Sequence, residues 1–305
     1  MEGVVMSRKG RGYICAVVGG VLWGASGCFG QYLTQNRALD PIWLTTVRLL
    51  SAGVILLLIS LVFQRANLIS LLVTPRELVR AVCFGVFGMM LCQLSYLSAI
   101  AETNAATATV IQYAGPVLVC VAVCVMSRTL PTVPEVTSVL LAVAGTYLVA
   151  THGDPTTLVI TPAGLGWCIV AALTVVLYTL IPGQLTSRRS SVVVSGVGMT
   201  VGGVVLCVVM RVWSIGATLD VPAVLAIGGI VLLGTVGAFS LYLEAVASIG
   251  AVRASVIASI EPVASALISF FWLGVRFAWI DILGFVLIIS TVFVLAIPKK
   301  KQTDA

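Results

Sequence analysis

The 305-residue sequence predicts an all-α membrane protein of ten transmembrane helices, arranged as two inverted five-helix repeats. Three observations carry this. Charged residues make up 9% and apolar residues 60%, against roughly 25% charged in an average soluble domain, and mean hydropathy is +1.15. The chain divides into ten apolar stretches near the length of about 20 residues that crosses a bilayer. Residues 96–117 recur, in altered form, at 242–263. A charge content this low excludes a cytosolic enzyme and a disordered chain. The net charge of +6 does not mark a nucleic-acid partner, because the basic residues sit at segment ends and form no patch.

The ten stretches are roughly 13–35, 41–63, 78–100, 105–126, 134–151, 162–182, 191–211, 221–247, 252–274 and 278–297. Their links are short, and no cleavable leader pattern precedes the first. Lys and Arg orient them. Numbering the links alternately from inside puts Arg8, Lys9, Arg11, Arg65, Arg76, Arg80, Arg128, Arg188, Arg189, Arg253, Lys299, Lys300 and Lys301 on the cytoplasmic side. Only Arg37, Arg211 and Arg276 fall outside, and Arg48 lies within a span. Both termini are therefore expected in the cytoplasm of a multi-pass cell-membrane protein. Trp43, Trp167, Trp213, Trp272 and Trp279 fall at expected outer ends, where interfacial tryptophans collect.

The repeat has an offset of 146. Tyr96/Tyr242, Leu97/Leu243, Ala99/Ala245, Ala101/Ala247, Ala105/Ala251, Ala108/Ala254, Val110/Val256, Ile111/Ile257, Pro116/Pro262 and Val117/Val263 are identical, 10 of 22 positions without a gap. The offset covers five spans, an odd number, so the second copy must enter from the opposite side. Residues 1–151 and 152–305 are the expected halves. Inverted halves of this kind characterise transporters whose site lies near the midplane between them. Pro116 and Pro262 each fall about eleven residues into a span, near the bilayer centre at 1.5 Å per residue. Each removes a helix hydrogen bond and is a candidate hinge or kink.

These residues resemble a known family. Glu261-Pro262-Val263, then Trp272-Leu273-Gly274, then Leu283-Gly284 and the closing apolar stretch look like EamA-type proteins of the drug/metabolite transporter superfamily, as do Trp23-Gly24 and Arg48. The resemblance covers the whole chain. One departure is Val275, followed by Arg276, where the family carries an acidic residue. The resemblance implies export or exchange of small metabolites: amino acids, amines, drugs and, in distant relatives, nucleotide sugars.

Ionisable groups inside a span cost about 2.5–3.5 kcal/mol at the centre, so each needs a reason. Glu261 is the deepest; it is open as a substrate counter-ion, a proton carrier or a structural acceptor. Arg48 can meet a substrate carboxylate or a structural partner. Glu244 and Arg253 are expected to pair at the inner end as a gate. Glu102 is expected in solvent. Trp23, Ser26, Gln93, Tyr96, Gln112, Tyr113, Tyr178, Tyr242 and Ser259 are candidate pathway residues, and an aromatic-and-amide lining suits a zwitterionic small molecule. Small-residue pairs such as Gly20/Gly24 and Gly198/Gly202 are expected to serve helix packing.

Enzyme signatures are missing, so no catalytic residue and no cofactor is expected. No phosphate-binding loop is present, which leaves secondary transport. Cys120 and Cys124, four apart, could offer two ligands on one helix face, but no His or carboxylate stands nearby in sequence. No metal site is therefore expected. His152, the single histidine, lies beside Asp154 at the outer end of the fifth span, as a solvated loop residue. The expected partners are a small-molecule metabolite and membrane lipid, with no nucleic acid and a homodimer left open. The function expected is secondary export of small organic metabolites such as amino acids by alternating access. A lipid-intermediate flippase and a non-transporting membrane receptor are the alternatives.

Overall fold

The computed structural model describes residues 8–154, 159–186, 188–249, 254 and 257–295, and every element among them is helical. The long helices are α1 (Lys9–Asn36), α2 (Pro41–Phe63), α3 (Pro75–Glu102), α4 (Ala105–Ser127), α5 (Val133–Thr151), α6 (Pro162–Leu180), α7 (Ser191–Val209), α8 (Val221–Val246), α9 (Glu261–Leu273) and α10 (Trp279–Val294). The polarity of a soluble protein is reversed. Phe63, Val125, Leu140, Leu225 and Phe271 are exposed, while Arg48 and Glu135 are buried. An apolar exterior over buried polar groups is what a hydrocarbon solvent selects.

The all-helical prediction holds. The count of ten spans is met by eight helices long and apolar enough to cross a membrane; α9 and α10 are shorter. The ninth expected span, 252–274, overlaps residues outside the described set, and what remains of it is the 13-residue α9.

Three helices contain widened π-type turns: Tyr32–Asn36 at the end of α1, Phe84–Met90 in α3 and Gly229–Gly237 in α8. Such turns often mark functional positions. Helix α4 is interrupted. It runs from Ala105 to Gln112, breaks at Tyr113 and Ala114, and restarts as Gly115–Ser127. A matching break at Ser259 and Ile260 precedes α9. Pro116 and Pro262 stand second in the two restarted helices, where a missing N–H costs nothing because first-turn donors have no helical acceptor.

Hydrogen bonds at the bundle ends fix relative direction. Gln35 Nε2, at the end of α1, donates to the carbonyls of Ile100, Ala101 and Thr103 at the end of α3, so α1 and α3 run parallel. Arg37, after α1, pairs with Asp220 before α8 (3.1 Å), and Arg11 pairs with Glu244 near the end of α8 (3.6 Å). Helix α8 therefore runs antiparallel to both.

Close approach is glycine-dependent where α1 crosses α9. A Cβ on Gly24 would stand 2.7 Å from the Glu261 carbonyl and 2.9 Å from the Ser265 amide, and one on Gly20 would stand 2.8 Å from the Ala258 carbonyl. In α7, a Cβ on Gly202 would stand 2.5 Å from the Gly85 carbonyl of α3, and one on Gly198 would stand 2.9 Å from the Phe84 ring. Both small-residue pairs thus serve packing, as expected. Gly24→Leu is expected to destabilise the fold by about 1–3 kcal/mol, read as a lowered thermal midpoint in detergent. An unchanged midpoint would mean that α1 and α9 are not held at this contact.

Candidate functional site

The two helix breaks meet. Tyr113, at the break in α4, donates its hydroxyl to Glu261 Oε2 at 2.9 Å, and the same hydroxyl oxygen lies 3.4 Å from the Ala258 carbonyl. Glu261 is the first residue of α9, so its carboxylate sits at the positive end of that half-helix. Gly115 opens the other half-helix at the equivalent place.

Arg48 reaches the same region from α2. It is 6% exposed. Its Nε donates to Thr235 Oγ1 at 3.3 Å, and Thr235 in turn donates to the Ile230 carbonyl five residues back, within the π-type turn of α8. Arg48 Nη1 is buried with no hydrogen-bond partner among the described residues, and so is Ser26 Oγ. The two are neighbours in the fold, because Ser26 packs against Gly234, next to Thr235. Buried polar atoms without partners are uncommon and call for a cause. Arg48 and Glu261 lie within electrostatic reach of each other, and Tyr96 is near both, yet neither forms an ion pair among the described residues.

The other expected pathway residues fall around these two. Tyr96 shares a 2.7 Å hydrogen bond with Thr109. Gln112 Nε2 points at Cys92 Sγ (3.7 Å). Tyr178 packs on Phe84 with ring centroids 5.8 Å apart, and Trp23 packs on Tyr242 at 5.2 Å and on Phe239 at 5.7 Å. Tyr242 also lies within electrostatic reach of both Tyr113 and Tyr178. Ser259 is buried in the break beside Glu261. Trp23, Gln112, Tyr113, Tyr178, Tyr242 and Glu261 are each half-buried, around the buried Arg48. Gln93 is half-buried and joins none of these contacts.

Arg253 lies outside the described residues, so the Glu244–Arg253 gate has no described geometry; Glu244 lies 3.6 Å from Arg11. Two expectations change. His152 bonds Asp281 of α10 at 2.8 Å and not its sequence neighbour Asp154. The left-handed backbone of His152 (φ 52°) closes α5 and swings the ring toward α10. Cys120 and Cys124 do have a carboxylate close by, Glu135, which chain separation hid. Sequence reasoning missed Thr235 and Thr109. Nothing in their spacing separates them from the other small residues of apolar helices.

The EamA-like transporter model matches the chain twice, over residues 10–151 and 162–297. The chain belongs to the EamA-like transporter family. This EamA chain is also 33% identical over 300 residues, 98% of its own length and 100% of the relative's, to a protein of Salmonella typhimurium (strain LT2) described as the uncharacterized inner membrane transporter YicL. A solved crystal structure superposes with TM-score 0.64, covering 93% of this chain and 96% of that one at 17% identity, which supports the fold alone. Arg48 and Glu261 are ionisable side chains set within the apolar bundle of this EamA protein.

Proposed function

We propose that this EamA protein is a secondary transporter that exports small organic metabolites, amino acids above all, across the inner membrane by alternating access. One observation carries the substrate class: Arg48 and Glu261 lie within electrostatic reach of each other but form no ion pair among the described residues. A cation and an anion held apart in this way suit the carboxylate and ammonium of a zwitterion. Two half-helix N-termini beside them favour the carboxylate further. The aromatic walls suit an apolar side chain.

Two inverted halves, 1–151 and 152–305, are the proposed machinery. At the offset of 146, Gly115–Ser127 falls on Glu261–Leu273, and the two breaks fall on each other. The π-type turns Phe84–Met90 and Gly229–Gly237 overlap as well. Helices α3 and α8, 146 residues apart, run in opposite directions, which agrees with inversion, and the family model's two matches divide the chain at the same place. The breaks beside Pro116 and Pro262 are the proposed hinges. Cytoplasmic termini follow from the Lys and Arg count, and the inner membrane from the Salmonella relative.

The test is untargeted metabolite profiling of medium from cells overproducing the wild type, set against cells overproducing Glu261→Gln. One class of zwitterionic metabolite is expected to accumulate outside with the wild type alone. Matching media would overturn the exporter reading and move import, lipid movement or a receptor role ahead.

A further inference from the structure

The hairpin between α4 and α5 assembles a donor set that neither helix holds alone. Helix α4 ends at Ser127, and Arg128 turns the chain in the left-handed region (φ 52°). Thr132 then caps α5 in a reciprocal capping box with Glu135, which is stabilising in itself. The same box folds Glu135 back over the last turns of α4. Cys120 and Cys124, four residues apart, lie on one face there. Cys124 Sγ stands 3.7 Å from Glu135 Oε2. One ligand atom from each of Cys120, Cys124 and Glu135 lies within 4.8 Å of both others.

A tetrahedral Zn²⁺ with metal–ligand distances near 2.3 Å to sulfur and 2.0–2.2 Å to oxygen has ligand–ligand edges of about 3.6–3.8 Å. The Cys124–Glu135 edge already has this length, and the remaining edges need only side-chain adjustment. Cys124 and Glu135 are buried and Cys120 is half-buried. The adjoining groove, with a volume of about 430 Å³, is lined by these two buried residues and by Val121, Arg128 and Pro131 among others. Thiolates select soft or borderline cations over Mg²⁺ and Ca²⁺.

We propose that Cys120, Cys124 and Glu135 form a site for one divalent cation of the Zn²⁺/Cd²⁺ class, with a fourth position open to the groove. Binding forms two metal–sulfur bonds and one metal–oxygen bond, and the two thiol protons leave to water. Two thiolates, one carboxylate and a divalent ion sum to a single negative charge, which the Arg128 guanidinium in the same groove offsets. The bound ion staples the second half of α4 to α5. The site shares no residue with the proposed transport site, so it stands or falls independently of the proposed substrate.

The experiment is a Cd²⁺ titration of the purified full-length chain in detergent, read by thiolate-to-cadmium absorption in the ultraviolet. One Cd²⁺ per chain is expected for the wild type and for Cys83→Ser/Cys207→Ser, with the signal lost in Cys120→Ser/Cys124→Ser. No absorption in the wild type, or full absorption in Cys120→Ser/Cys124→Ser, would overturn the site. Should that double variant fail to fold, maleimide labelling of the wild type followed by peptide mass spectrometry decides. Zn²⁺ is expected to protect Cys120 and Cys124 but not Cys83 or Cys207, and equal labelling of Cys120 and Cys124 with and without Zn²⁺ rejects the proposal.

Discussion

Glu261→Gln is expected to lower substrate flux at least ~10-fold, equivalent to about 1.4 kcal/mol, while the protein still inserts and purifies as the wild type does. The substitution keeps the size of the side chain and an acceptor for the Tyr113 hydroxyl, which lies 2.9 Å from the carboxylate. It removes only the charge. A purely structural Glu261 would tolerate that, because the hydrogen bond from Tyr113 survives. A Glu261 that binds an ammonium group or carries a proton cannot work without its charge. Glu102→Gln is the control: Glu102 is exposed at the end of α3, and its hydrogen bond from Thr161 is long, at 3.5 Å. Flux for Glu102→Gln is expected within about twofold of wild type, as for surface substitutions away from special features. Equal flux for the two variants in proteoliposomes would remove Glu261 from the site.

Arg48→Gln should separate function from stability in the opposite sense to an ordinary core mutation. Truncating one member of a buried ion pair is strongly destabilising, because the remaining charge is left unpaired. Arg48 has no such partner among the described residues. Its Nε bonds a neutral threonine, and its Nη1 bonds nothing. Removing the guanidinium therefore relieves a desolvation cost and breaks no direct ion pair among the described residues. The thermal midpoint is expected to stay level or rise, while flux falls ~10-fold or more through loss of the anion contact. A fall of several degrees in the midpoint with flux unchanged would assign Arg48 to the architecture and not to the substrate.

Much of this protein is legible in the sequence, for physical reasons. Burying backbone amides in hydrocarbon forces helices, so long apolar runs fix the class and most helix positions. Pro116 and Pro262 could be read as interruptions because a proline within a long apolar run lacks the N–H that a continuous helix needs there. The EamA resemblance rested on short runs such as Glu261-Pro262-Val263, and the family model matches the whole arrangement. Arg48 and Glu261 stood out for the same energetic reason: few charges occur within the spans, and each must be explained.

What escaped the sequence depends on which helix faces meet. In a uniformly apolar helix, 3.6-residue periodicity carries little contrast, so the faces of α2, α4, α8 and α9 were not readable. Only the folded bundle brings Tyr113 to Glu261, Thr235 to Arg48, Asp281 to His152 and Glu135 to Cys120 and Cys124. The π-type turn in α8 was equally hidden, because no residue type demands one. The sequence by itself determined that the chain is a helical membrane protein and which costly groups lie within it. The tertiary structure decided which of those groups are partners, because hydrogen bonds reach about 3 Å and depend on direction, whereas composition and spacing report only what each helix holds alone.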